Sequence, residues 1–369
     1  MQIQNSLVSA EVKFDILGDI GEDGAHSDAY VVHDHQLDAE LVAKQMDTAE
    51  FSSPSAYFDE ARKLEEASHP NVVPVRYAGV DLNNDHVYVV MPRYENGSLQ
   101  GRLDELAAQN KLLRVRDVVR FGLQFLTGLA RIHALDLVHF DIKPSNILLD
   151  DSGMAVLADF GLAKYLDQFG AAEQPQAYRP HFAPERFRHV KFTPEIDIYQ
   201  AGITLYRMTN GDRWFYHQVA DYTDPANPKV GELEQPIRDG DFPDRSAYLP
   251  HVPNRLRDVI NKALEVDPDD RFRTVREMMN ELGRVHQYLD WQIEYDPNNP
   301  HYRGVLYETE RQSPRTRSVT VKPTGDAFRV EGMKEVNTTQ TIHDWTEDGF
   351  DDFSDALTFV KSCIWGTDT

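Results

Sequence analysis

Three carboxylate or carboxamide side chains, Asp141, Asn146 and Asp159, stand in His139-Phe-Asp-Ile-Lys-Pro-Ser-Asn146 and, eighteen residues after Asp141, in Asp159-Phe160-Gly161. Asn146 and Asp159 are hard oxygen donors, and Mg²⁺ takes one or two such ligands when phosphate oxygens complete its shell. The bland alternative is that the two aspartates cap turns in loops. Ala183-Pro184-Glu185 follows further along. Any one of these tripeptides is a weak signal, whereas their order and spacing together are strong. Other chemistries are excluded: Cys363 is the only cysteine, which leaves no Cys-rich zinc site and no intrachain disulfide. The chain has no Gly-Lys dipeptide, so no phosphate-binding loop of the P-loop hydrolase kind.

The elements that must hold these residues change character along the chain. From Phe14 to about Glu95, β-like runs at Ala29–Val32, Leu41–Met46, Val72–Val80 and His86–Met91 surround one helical pattern over Tyr57–Ala67, which stops before His69-Pro70. A five-stranded sheet with one helix fits this stretch. From Leu99 to about Leu289 the pattern turns helical, with apolar faces over 115–133 and Ile196–Met208. The turn-forming tract Tyr295-Asp-Pro-Asn-Asn-Pro300 reads as a boundary. Beyond it, strand-like pieces at Val305–Thr309, Ser318–Val321, Phe328–Val330 and Thr341–Trp345 precede a last helix carrying Phe353, Ala356, Leu357, Val360 and Ile364. No fixed-period repeat is present.

With the motifs and their setting in place, residues 14–285 resemble the eukaryotic-type protein kinase superfamily. The resemblance implies an α+β, two-lobed protein kinase fold, with a β-rich N-lobe at 14–95 and a helical C-lobe at 96–289. An N-terminal extension at 1–13, a linker at 290–300 and a small C-terminal α+β module at 301–369 complete the expected layout. It also implies use of ATP with Mg²⁺ or Mn²⁺ and transfer of the γ-phosphate to a protein substrate. Phosphoryl transfer passes through a loose transition state, so the protein mainly positions groups and neutralises charge. Asp141 would orient the attacking hydroxyl, Lys143 would balance charge on the γ-phosphate, and Asn146 and Asp159 would hold the metal.

Carried over residue by residue, Leu41-Val-Ala-Lys44 matches the strand with the nucleotide-binding lysine, and Glu60 its helical partner. Val87-Tyr-Val-Val-Met-Pro-Arg-Tyr-Glu-Asn-Gly97 resembles the interlobe hinge. Met91 would be the gatekeeper, the backbone of Pro92 and Tyr94 would bond the adenine edge, and Val42 and Leu148 would sandwich the ring. Asp197 would anchor the catalytic loop, Arg271 would pair with Glu185, and Leu64, His139 and Phe160 would stack as a regulatory spine. Taken singly, Lys44 and Glu60 would read as solvated surface charges.

The sequence also departs from the family pattern. In Gly18-Asp-Ile-Gly21-Glu-Asp-Gly24-Ala-His26, Gly21 fits the first glycine of the phosphate loop, while Asp23 and His26 replace the others; a one-residue shift would use Gly24. Phe140 stands where the family usually has an arginine that binds a phosphorylated activation loop. Between Gly161 and Ala183 there is no serine or threonine, and Tyr165 and Tyr178 are the only hydroxyls. Both absences predict competence without loop phosphorylation. Tyr178 takes the place of a threonine bridging the catalytic aspartate and lysine, yet Lys143 still favours a serine/threonine kinase.

The alternative from another class is a pseudokinase that serves as a nucleotide-binding or partner-binding scaffold; the presence of Lys44, Glu60, Asp141, Asn146 and Asp159 together weighs against it. The net charge of −23 over 369 residues argues against a nucleic-acid partner. No apolar run approaches the roughly 20 residues of a membrane helix, so no membrane partner is expected, and one cysteine suits the cytoplasm. In the C-terminal module, expected to be regulatory or partner-binding, Arg311-Gln-Ser-Pro-Arg-Thr-Arg-Ser-Val-Thr-Val-Lys322 is locally basic. Ser313, Thr316, Ser318 and Thr320 are candidate autophosphorylation sites there, against the bland reading of a solvated hairpin.

Overall fold

The computed structural model describes residues 12–22, 28–83, 85–173, 178–223, 231–286, 290–296, 301–308, 315–336 and 338–366. The chain divides into two units, Met1–Glu95 and Asn96–Thr369.

The first unit is an antiparallel sheet of β1 (Phe14–Glu22), β2 (Asp28–Asp34), β3 (Ala39–Asp47), β4 (Tyr77–Val80) and β5 (His86–Pro92), in the order β1-β2-β3-β5-β4. Alternation along β3 sends Leu41 and Ala43 into a core with Val32 and Val90, leaving Val42 and Lys44 on the other face. The helix α1 (Asp59–Glu66) lies between β3 and β4 in sequence and buries Glu60, Ala61 and Leu64. Two acidic residues in its first turn suit the positive end of the helix dipole. The strand expected over Val72–Val80 begins only at Tyr77. Val72 and Val73 are buried as core residues instead, and Pro74, which has no N–H to give a ladder, keeps that stretch out of the sheet.

The second unit begins with α2 (Leu99–Ala108) and α3 (Val115–His133). Ser98 caps α2, its hydroxyl accepting the amide of Gly101 at 3.2 Å. Short strand pairs follow. β6 (Leu137–Val138) pairs with β9 (Lys164–Tyr165), β7 (Ile147–Leu149) with β8 (Ala155–Leu157), and β10 (Ala172–Glu173) with β11 (Lys191–Phe192). Then come α4 (Glu195–Asn210), α5 (Asp212–Thr223), α6 (Glu234–Asp239), α7 (Asn254–Ala263) and α8 (Val275–Leu282). Helix α4 is buried from Ile196 to Asn210, as a helix at the centre of a bundle must be. Gly122 on α3 lets the helices close: a Cβ there would stand 2.7 Å from Leu282 on α8 and 2.9 Å from Leu205 on α4.

A second sheet packs in the same unit: β12 (Gln292–Asp296), β13 (His301–Glu308), β14 (Arg315–Thr324), β15 (Ala327–Glu335) and β16 (Thr339–Thr341), with β17 (Glu347–Phe350) also on β15. Helix α9 (Phe353–Trp365) covers one face through Ala356, Val360 and Ile364. In register, Gly304, Val319 and Gly332 form a cross-strand row. The two glycines make room for aromatic rings: a Cβ on Gly304 would meet Trp291 at 3.2 Å, and one on Gly332 would meet Trp345 at 2.3 Å.

Two expectations change here. The tract 290–300, expected as a linker, contains β12, whose Trp291-flanked alternation buries Ile293 in the sheet core. Its outer edge is covered: Leu112 N–H donates to the Ile293 carbonyl at 3.0 Å and Tyr295 N–H to the Asn110 carbonyl at 2.8 Å. Thr341–Trp345, expected as a strand, turns into a 3-10 segment from His343, because Trp345 must fold over Gly332.

Candidate active site

The loop after β6 is built by α4. Its helix has a polar stripe at Asp197, Gln200, Thr204 and Arg207, one face at helical spacing, and all four are buried. Asp197 accepts the backbone amides of His139 and Phe140, each at 2.8 Å, and also meets His133 Nε2 at 2.8 Å. Gln200 accepts the Ile142 amide at 3.0 Å and donates to the Phe140 carbonyl at 2.8 Å. Thus the backbone on both sides of Asp141 is satisfied by side chains rather than by a strand partner, as buried backbone requires. Phe140 is held in the left-handed region at φ 68°, a conformation a non-glycine residue keeps only where its surroundings over-determine it.

Asp141 is aimed by this frame. Its Oδ2 lies 2.8 Å from Lys143 Nζ and accepts Asn146 Nδ2 at 2.8 Å. Asn146 Nδ2 also donates to the Asp141 carbonyl at 2.9 Å, so the amide is fixed with its oxygen turned away from Asp141. His139 ties the loop to the next strand. Its Nδ1 accepts the Asp141 amide at 3.3 Å, and its Nε2 donates to the Ala158 carbonyl at 3.2 Å. One residue on, Asp159 has φ 59° and accepts the Gly161 amide at 3.2 Å. The rings of His139 and Phe160 meet edge to face at 5.2 Å. Asp141, Lys143 and Asn146 are therefore one hydrogen-bonded cluster, and His139 links it to Ala158, the residue before Asp159 just past β8.

In the first unit Lys44 Nζ lies 3.0 Å from Glu60 Oε1, and both residues are buried. A buried pair of this kind holds the lysine pointed, where a surface lysine would sweep through solvent. Val42 pairs across the sheet with Met91, and Leu41 with Pro92. Tyr94 is half-buried. Gly21 lies on β1, opposite Ala29, while Gly24, Asp23 and His26 fall outside the described residues. Leu64 is buried on α1 in this unit, and Leu148 is half-buried on β7 in the other.

The remaining predicted positions carry structure. Arg271 grips Glu185 with two bonds of 2.8 and 2.6 Å and lies over the Tyr199 ring. Phe140 is fully buried, its ring 6.4 Å from that of Phe192 on β11. Tyr178 donates to the Tyr216 hydroxyl at 3.3 Å, and burial pushes its own phenol well up. Thr316, Ser318 and Thr320 lie on β14, paired on both edges by β13 and β15, while Ser313 is outside the described residues. Among the described residues no group of three or more His, Cys, Asp or Glu could hold a metal by itself.

Sequence reasoning missed Gln200, Thr204, His181, Arg207 and Asp212. For Gln200, Thr204 and Arg207 the signal was present: polar residues three and four apart inside the otherwise apolar α4 form a stripe that must face polar partners.

The protein kinase domain family matches residues 14–282, and the chain belongs to that family. It is 28% identical over 266 residues to a probable serine/threonine-protein kinase of Clostridium perfringens, covering 72% of this chain and 35% of that one. It is 27% identical over 271 residues to the serine/threonine-protein kinase PrkC of Bacillus subtilis, covering 72% and 39%. With the serine/threonine-protein kinase PknL of Mycobacterium bovis it shares 28% identity over 299 residues, covering 78% and 70%. The chain thus spans well under half the length of the first two relatives.

Proposed function

We propose that this chain transfers the γ-phosphate of ATP to serine or threonine hydroxyls of protein substrates, without needing phosphate on its activation loop. The observation that carries the reading is the aim of Asp141. Both cationic and amide donors, Lys143 and Asn146, approach Oδ2, which leaves Oδ1 to accept the substrate hydroxyl and turn it in line for attack. Lys143 stands beside the same carboxylate and can offset charge on the transferring group. Lys44, oriented by Glu60, is the residue for the α- and β-phosphates.

The donor set fits a divalent ion: Asn146 has its amide nitrogen committed to Asp141, its oxygen takes, among the described residues, only the Ser145 hydroxyl at 3.4 Å and is the end available to a cation, and Asp159 adds a carboxylate. Mg²⁺ or Mn²⁺ there would neutralise phosphate charge. With too few protein ligands for a closed site, the phosphates of ATP would complete the shell.

Independence from loop phosphorylation is supported by Phe140. Where an arginine would wait for a phosphate, a buried aromatic contact reaches β11, and β11 pairs with β10 of the loop. Asp167 and Lys191 add an ion pair of 2.7 Å between the same segments. The chain's single, buried Cys363 suits the cytoplasm, and no described helix is long and apolar enough to cross a membrane. The decisive test is transfer of labelled phosphate from ATP to casein, wild type beside Asp141→Asn, followed by phosphoamino-acid analysis. Equal labelling by both, or mainly phosphotyrosine, would overturn the reading.

A further inference from the structure

His181 is almost wholly buried and has no part in the chemistry described above, yet it bonds to the catalytic loop. Its Nδ1 lies 3.0 Å from the Ile142 carbonyl, one peptide beyond Asp141. A carbonyl oxygen can only accept, so Nδ1 carries the proton. Its Nε2 lies 3.1 Å from Arg207 Nη1, and a guanidinium can only donate, so Nε2 is the bare nitrogen. The two contacts thus fix a single neutral tautomer. Burial, then the charges of Arg207 and Lys143, hold this imidazole well below its ordinary value, in agreement with that assignment.

Arg207 is itself immobilised. It bonds Asp212 through two nitrogens at 2.8 and 2.6 Å, the Gln100 carbonyl oxygen at 2.6 Å and the Tyr216 hydroxyl at 3.2 Å. Its charge also lies over the rings of Phe215 and Tyr216. A line of directed bonds therefore runs from Asp212 on α5, through Arg207 on α4 and His181, to the peptide carbonyl beside Asp141. His181 also belongs to the segment Tyr178–Phe182 that leads into Ala183-Pro-Glu185. The Ile142 carbonyl has a second donor, Thr204, but at the longer distance of 3.3 Å.

We propose that His181 is a positioning residue for phosphoryl transfer: its Nδ1–H, backed by the Arg207–Asp212 pair, sets the orientation of the Ile142 peptide and through it the Asp141 carboxylate. This rests on the kinase reading above. The bond to the loop is made at the Nδ1 position alone; the Arg207 contact at Nε2 holds the ring and makes no bond to the loop. An asparagine places its amide nitrogen near that position, whereas glutamine places its amide near Nε2.

The experiment compares His181→Asn and His181→Gln in the full chain, with ATP and casein as probes. The expected result is kcat within about threefold of wild type for His181→Asn and at least about tenfold lower for His181→Gln. KM for ATP should stay within about twofold in both. Equal loss in the two variants, or loss confined to KM for ATP, overturns the proposal. A second measurement does not need activity: ¹⁵N shifts of the His181 ring should report the Nδ1–H tautomer, and the Nε2–H tautomer would sink it. If wild type transfers no phosphate at all while the ring has the expected tautomer, the catalytic reading fails and the hydrogen-bond assignment stands apart from it.

Discussion

The rings of Phe140 and Phe192 meet edge to face, 6.4 Å between centroids, with both side chains buried. This apolar contact joins the loop that carries Asp141 to β11, which pairs with β10 between Gly161 and Ala183; on the proposed reading it stands in for the contact a phosphate and an arginine would make by charge. Phosphatase treatment of the purified protein should therefore leave its rate unchanged. Phe192→Ala should lower kcat and cost about 3–5 kcal/mol of stability by leaving a cavity beside Phe140. A large drop in rate on removing phosphate from Tyr165 or Tyr178 would contradict the account.

Lys44→Ala, Asp141→Asn and Asp159→Asn should each reduce phosphotransfer about a hundredfold or more, since on the proposed reading each removes a group that acts at the reacting phosphates or hydroxyl. Melting temperatures separate loss of chemistry from loss of fold. Asp197→Asn is the contrasting case: it weakens the acceptor for two loop amides, so activity and stability should fall together.

The pair Glu185–Arg271 is buried and bidentate. Removing one partner strands the other charge, so Arg271→Ala should cost about 3–5 kcal/mol in urea unfolding. The double variant Glu185→Ala/Arg271→Ala should cost clearly less than the two single costs added together. Strict additivity would mean that the pair is not coupled.

Most of the candidate site was legible because its residues fall in short-range motifs, and the structure brings Asp141, Lys143 and Asn146 into one hydrogen-bonded cluster. The sheet of the first unit was legible from Val- and Tyr-rich alternation. What escaped was long-range. The strand β12 carries a period-2 signal in Trp291, Ile293 and Tyr295, but the adjoining Asp-Pro-Asn-Asn-Pro tract reads as a loop and outweighed it. Thr341–Trp345 looked extended until Gly332 on another strand demanded the tryptophan. The stripe on α4 marks Gln200 as facing something polar without saying what, and His181 has no local signal at all, because their partners lie 58 and 39 residues away.

Two buried histidines predict a pH response. Burial lowers His251 to about 3, and burial with nearby positive charge lowers His181. Unfolded, each would bind a proton near 6.5. Below that pH the unfolded chain binds more protons than the folded one, so stability complete above about pH 6.5 declines as pH falls. The slope from each group is about 1.4 kcal/mol per pH unit until its folded value is reached. Urea melts between pH 7.5 and 5.5 should show the loss, and His251→Leu should flatten it. A rise in stability over the same range would refute the assignment.

The C-terminal sheet is built into the helical unit, and that predicts what its removal does. Leu249 lies in the sheet's own core, and Trp365 Nε1 donates to the Pro250 carbonyl at 3.1 Å. Trp365 also lies beneath the Arg257 guanidinium of α7. At the other end, β12 exchanges backbone bonds with Asn110 and Leu112, between α2 and α3. Thr316, Ser318 and Thr320 are in a strand paired on both sides, so a modifying enzyme would first have to peel β14 from β13 and β15. Autophosphorylation at Thr316, Ser318 or Thr320, releasing the module by added charge, is therefore not the expected behaviour. Cutting the chain after residue 300 should instead destabilise the helical unit, because it strips the cover from Leu112, Leu249 and β12 together. Trp365→Ala should do the same by about 3–5 kcal/mol while leaving kcat near wild type at temperatures where the protein stays folded. A truncated chain with unchanged melting temperature, or phosphate appearing on Thr316, Ser318 or Thr320 of the folded protein, would reverse this and return the module to a switch.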